Sequence, residues 1–116
     1  MTKYNKRQLM NINKNKALFK VGSKFNSYDV NLNENEEHDK KISDLYFEMR
    51  RMGCYMAVRQ PLKNGNIPDL AILSSKELIV KEVMNSESDK QFENKDYLGA
   101  KKIKVKVRWK EENLIQ

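Results

Sequence analysis

Gly65-Asn66-Ile67-Pro68-Asp69-Leu70-Ala71-Ile72-Leu73 is followed, after Ser74-Ser75-Lys76-Glu77, by Leu78-Ile79-Val80-Lys81-Glu82-Val83-Met84. Residues 67–73 and 78–84 read as two apolar strands joined by a short turn. The second is apolar on both faces apart from Lys81 and Glu82, which predicts a central strand. Each strand carries one acid, Asp69 or Glu82, that neither strand propensity nor core packing selects. A spacing of 13 residues across a tight turn sets the two acids on neighbouring backbones. Two carboxylates buried together require a cation or a shared proton. The alternative is that both sit at exposed strand ends.

Upstream, Asn33 with Glu36 three residues later predicts a helix start of capping-box type. Ile42, Leu45, Tyr46, Met49 and Met52 recur at helical spacing as a core-facing stripe, Arg50 and Arg51 suit the negative helix end, and Gly53 stops the run. Residues 54–62 read as a strand broken near Pro61, and Lys63-Asn64-Gly65-Asn66 as a hairpin-type loop. Downstream, Ser88 with Gln91 predicts a short helix through Leu98, with Gly99 at its end. Residues 101–109 alternate, with Ile103, Val105, Val107 and Trp109 on one face and Lys102, Lys104, Lys106 and Arg108 on the other. A helix between two strands predicts a parallel, right-handed crossover. The element order is α-β-β-β-α-β, an α/β fold with a mixed central sheet flanked by helices.

The chain of 116 residues is 34% charged and 39% hydrophobic, as expected of one globular domain. It divides into a basic Asn/Lys-rich segment over 1–33, a core over 34–109 and a tail over 110–116. No apolar run approaches the ~18 residues of a membrane span, and the N-terminus lacks the apolar stretch of a secretion signal. A single Cys54, read as a small buried hydrophobe, excludes an internal disulfide and suits a reducing compartment, so the expected location is the cytoplasm. The net charge of +7 lies mostly in residues 1–33, where Lys3, Lys6, Arg7, Lys14, Lys16, Lys20 and Lys24 face one acid, Asp29. Tyr4, Phe19, Phe25 and Tyr28 interleave with them. Such a segment can neutralise phosphates while its rings stack on bases, or it can be a solvated tail.

Oxygen ligation by Asp69 and Glu82 without nearby His or Cys points to Mg²⁺ or Mn²⁺ rather than zinc. The sequence has no Gly-rich phosphate loop and no Ser/His/Asp nucleophile elbow.

With Asn66-Ile67-Pro68-Asp69-Leu70 and Val80-Lys81-Glu82-Val83-Met84, the chain resembles the PD-(D/E)XK nuclease superfamily over roughly residues 34–107. This is the restriction-endonuclease-like fold shared with archaeal Holliday-junction resolvases. The resemblance implies that Asp69 and Glu82 coordinate the metal and that an acid of the first helix, Glu37, joins them. It also implies a lysine two residues after the Glu, orienting the attacking water, where this chain has Met84. Lys81 alternates away from that face. Lys95, between Phe92 and Leu98 on the predicted second helix, is the candidate substitute and resembles an arrangement in which the lysine has migrated to this helix. A snorkelling surface lysine is the alternative. His38, one turn before Ile42, is either a half-exposed helix-start residue or a cleft residue able to bond a metal water or phosphate.

These readings combine into a metal-dependent endonuclease that hydrolyses DNA phosphodiesters at Asp69 and Glu82, with Lys95 assisting. DNA is the expected partner, with RNA second, and no membrane is expected. A homodimer suits two-strand cutting. The alternatives are a catalytically inactive nucleic-acid-binding module on the same fold, or a protein-interaction subunit using 102–108 as a basic edge.

Overall fold

The structure, a computed structural model, describes residues 4–32, 35–84 and 89–106. Its elements are α1 (Lys6–Lys16), α2 (Glu36–Arg51), β1 (Met56–Val58), β2 (Leu70–Leu73), β3 (Leu78–Met84), α3 (Asp89–Asn94) and β4 (Lys101–Lys106). The strands form one mixed sheet in the order β1-β2-β3-β4. The β1–β2 and β2–β3 pairs are antiparallel, and β3–β4, joined through α3, is parallel.

Period-two alternation divides the apolar residues between two cores. Ala57, Ala71, Leu73, Leu78 and Val80 bury one sheet face with Ile12 and Phe19, whereas Met56, Val58, Leu70, Ile72 and Val83 bury the other against Ile42 and Tyr46 of α2. β2 is buried at all four positions and β3 is paired on both sides, as a central strand requires.

The N-terminal segment is part of this architecture. Asn5 and Gln8 close a capping box that starts α1. Ile12 enters the core, while the amides of Asn11 and Asn15 donate to the carbonyls of Ser75 and Ser74 at 2.6 and 2.9 Å. Beyond α1, Phe19 bridges to Leu62 and lies buried. Asn26, at φ 54°, acts as a one-residue strand: its N–H donates to the Met56 carbonyl at 2.7 Å, and its Oδ1 accepts from the Met56 N–H at 2.8 Å. The expected stacking of this segment's rings on bases is therefore overturned for Phe19. Phe25 packs edge-on against Phe19, Tyr4 donates to the Gly53 carbonyl, and Tyr28 packs on Tyr46 and Phe47.

The first predicted helix begins two residues later than its capping pattern suggested. Its cap is Asn35, which accepts from the N–H groups of Glu37 and His38. Asn33, the expected cap, lies outside the described residues, as do Lys3, Ser88, Val107, Arg108, Trp109 and the 110–116 tail. Ile42 and Tyr46 are buried with Leu45 and Met49 packed beside them, but Met52 is 63% exposed because it caps the helix end. Gly53 then takes φ 87°, a conformation that favours glycine.

The strand predicted at 54–62 contracts to three residues, since Arg59 turns into the left-handed region at φ 51°. Cys54, expected buried, is half-buried and precedes it. The strand predicted at 67–73 contracts to Leu70–Leu73, because Pro68 has no donor and the Asp69 N–H is taken by a side chain. The helix predicted at 88–98 contracts to Asp89–Asn94. There the Lys102 ammonium donates to the carbonyls of Phe92, Glu93 and Lys95 at 2.9–3.1 Å, and Leu98 and Gly99 adopt φ 57° and 79°.

Candidate active site

The β2–β3 register pairs Leu70 with Lys81, so the next step of the ladder sets Asp69 opposite Glu82. No main-chain pair forms at that step. Instead the Asp69 N–H donates to Glu82 Oε2 at 3.0 Å, and the Val83 N–H donates to Asp69 Oδ2 at 2.8 Å. Each carboxylate thus closes the end of the hairpin by taking an N–H from the opposite strand.

Glu82 is 4% exposed. Its Oε1 accepts from the buried Tyr97 hydroxyl and lies 3.4 Å from the Lys95 ammonium, itself 36% exposed. His38 reaches in from α2, its Nε2–H donating to the Val83 carbonyl at 2.6 Å and standing 3.5 Å from Asp69 Oδ2. That bond fixes the proton on Nε2. Burial, followed by the hydrogen bond to Glu82 and the Glu82 charge, pushes Asp69 up to about 7; the Val83 N–H and His38 act in the opposite direction. The Asp69 carboxyl is therefore far harder to ionise than an exposed aspartate.

Of the expected residues, Asp69, Glu82 and Lys95 come together. Lys95 does so from the turn after α3 rather than from the helix, and Tyr97 arrives from the same turn. Glu37 does not complete a set with the pair: among the described residues no three His, Cys, Asp or Glu side chains gather as a metal would require. Successive helical residues point about 100° apart, and it is the next residue, His38, that faces the acids.

Tyr97 was not foreseen. A buried tyrosine hydroxyl needs a partner, but its pairing with Glu82 depends on the course of the chain after α3. A second polar cluster, Tyr28–Asp39–Arg59, lies between α2 and the end of β1. Burial there works to raise the Asp39 carboxyl, yet the hydrogen bonds from Tyr28 and Arg59 outweigh it and hold Asp39 below its ordinary value. Arg59 also donates to the Asp29 carbonyl and lies over the Tyr28 ring, so the cluster ties three segments together.

The N-terminal bases divide between two places. Lys6, Arg7, Lys14 and Lys16 lie on α1, with Lys16 half-buried; Lys20 and Lys24 lie exposed on the segment that follows. The expected basic edge at 102–108 is only partly available, because Lys102 is engaged by the α3 carbonyls. No described helix is long and apolar enough to cross a membrane. No family model, curated protein or solved structure matches the chain.

Proposed function

We propose that Asp69 and Glu82 form the divalent-cation site of a nuclease of PD-(D/E)XK type, with restriction-endonuclease-like topology, hydrolysing DNA phosphodiesters. The observation that carries this is a buried and a half-buried carboxylate facing each other across the open end of the hairpin, with an ammonium at 3.4 Å. Two acids crowded together mark a place where a hard cation relieves their repulsion, and all-oxygen donors suit Mg²⁺ or Mn²⁺. Asp69 and Glu82 would hold that ion, which when bound lowers the pKa of water and stabilises charge on the phosphate. The chain's own groups have separate tasks. Tyr97 fixes the Glu82 carboxylate, and Lys95 offers positive charge to the attacked phosphate or the water. His38 holds the Val83 end of β3 against α2.

Incubation of plasmid DNA with the protein and Mg²⁺ or Mn²⁺ tests this. Metal-dependent nicking that is lost in Asp69→Asn and Glu82→Gln supports the assignment, and intact plasmid under all metal conditions refutes it. A second reading, a nucleic-acid-binding module without cleavage, is favoured by Met84 at the motif lysine position and by the absence of a three-residue ligand group among the described residues. It predicts salt-sensitive DNA binding that Asp69→Asn leaves intact.

A further inference from the structure

The segment with the excess positive charge also forms an open hollow of about 400 Å³. The end of α1 and the chain through Phe25 make one wall, and Lys63 closes the other. Lys16, Lys20 and Lys63 line it, and its lining includes no acid.

Two main-chain hydrogen bonds hold these lysines in one place. Lys20 N–H donates to the Pro61 carbonyl and Lys63 N–H to the Leu18 carbonyl, both at 2.9 Å, clamping 18–20 against 61–63. The Lys16 ammonium is held over the rings of Tyr55 and Phe25, at 4.7 and 5.5 Å. Compensation of the helix dipole accounts for Lys14 and Lys16, but Lys20 and Lys63 lie outside α1. Three lysines carried by the backbone around one concavity concentrate positive charge there, and an extended anion relieves the repulsion.

We propose that this hollow binds the phosphate backbone of a nucleic acid, with Lys16, Lys20 and Lys63 each neutralising phosphate charge. The choice of nucleic acid over other polyanions rests on the functional reading above and on one connection within the fold. The loop beginning at Lys63 ends at Asn66, and the amides of Asn64 and Asn66 both donate to the Asp96 carbonyl, next to Lys95. Four residues span at most roughly 13 Å, about four nucleotides of rise at ~3.4 Å each. A strand seated in the hollow can therefore extend to the Lys95 side of Glu82. Lysines act here as point charges, which position a backbone without reading its sequence.

The test is binding of a labelled DNA duplex in EDTA across a salt series. The variants are combined Lys16→Gln/Lys20→Gln/Lys63→Gln, Val21→Glu in the hollow lining, and Lys40→Gln as a control on α2, where Lys40 pairs with Asp44. Val21 is fully exposed, so the substitution adds charge without disturbing the core. The triple variant should weaken binding at least about tenfold and flatten the log–log salt slope by about 2–3, at ~0.9 for each phosphate no longer neutralised. Val21→Glu should weaken binding and Lys40→Gln should not. An unchanged slope in the triple variant overturns the proposal, as does an equal loss in Lys40→Gln. So does lysine-dependent binding to phosphatidylserine vesicles without binding to DNA. Because no metal or cleavage enters this measurement, its failure leaves the acid-pair assignment standing, and absence of nicking leaves the hollow standing.

Discussion

The two ends of the β2–β3 hairpin solve the same problem with different chemistry. At the turn, Ser74 Oγ accepts from the N–H groups of Lys76 and Glu77, while Asn11 and Asn15 of α1 cover the carbonyls of Ser75 and Ser74. At the open end, Asp69 and Glu82 accept from Val83 and Asp69 itself. Both ends satisfy backbone groups that the ladder leaves unpaired, but one uses neutral groups and the other uses two acids. Asn26 shows that an amide can also accept from a strand N–H, as it does from Met56. Acids at the open end are therefore not demanded by hydrogen bonding. They raise the free energy of the folded state through mutual repulsion and desolvation, which makes that end the place to look for chemistry.

The largest expected effect separates the two ends directly. Asp69→Asn and Glu82→Gln keep an acceptor in place but remove the charge, so metal-dependent cleavage should fall by about 10²–10⁴-fold, the range typical of a lost catalytic group. Thermal stability should hold or rise. A matching loss of stability in these variants would make the pair a structural device like the turn. Lys95→Ala should lower cleavage about tenfold or more; undiminished cutting would remove Lys95 from the site.

Between the two ends, the fully buried Leu73 serves as a reference for pure packing. Leu73→Ala should cost about 2–5 kcal/mol in urea unfolding. Asn15→Ala at the turn end should cost about 1–3 kcal/mol, because it leaves the Ser74 carbonyl without that donor. Cleavage per folded molecule should not change.

The most gradual effect is a slope with pH. Asp69 titrates higher in the folded chain than its ordinary 3.8, so its protonated form stabilises the fold. That contribution is complete below 3.8 and is lost as pH rises through about 7. Relative to Asp69→Asn, the metal-free protein should lose stability over this window, by no more than ~1.4 kcal/mol per pH unit. Mg²⁺ or Mn²⁺ should flatten the slope. A difference that stays constant from pH 4 to 8 would show that the Asp69 carboxyl is not raised in the folded chain.

β3 could be read from sequence to its actual bounds, Leu78–Met84, because an apolar run paired on both sides has little room for ambiguity. The juxtaposition of Asp69 and Glu82 was readable for a related reason: a four-residue turn fixes the register that sets them opposite each other. α1 was not readable. Of its eleven residues only Ile12 and Asn15 are buried, and a buried asparagine looks like a surface residue until its carbonyl partner is known. Lys95 reached Glu82 although the expected helix ended early. A continuous helix would set Lys95 between Phe92 and Leu98 on its sheet-facing side, but α3 stops at Asn94, where Lys102 gathers the last carbonyls. Tyr97 and His38 meet the site through contacts 15 and 45 residues away in sequence, which no local pattern encodes.

The one-residue pairing of Asn26 with Met56 has a consequence for assembly. An unpaired edge strand is a template on which another chain can add a strand. On β1, Asn26 occupies both outward groups of Met56, and the Gln60 amide donates to the Val58 carbonyl at 2.8 Å. With only three residues and these partners, β1 has no room for an incoming strand. The sheet is sealed on that side against runaway edge-to-edge growth, which leaves β4 as the other edge among the described strands.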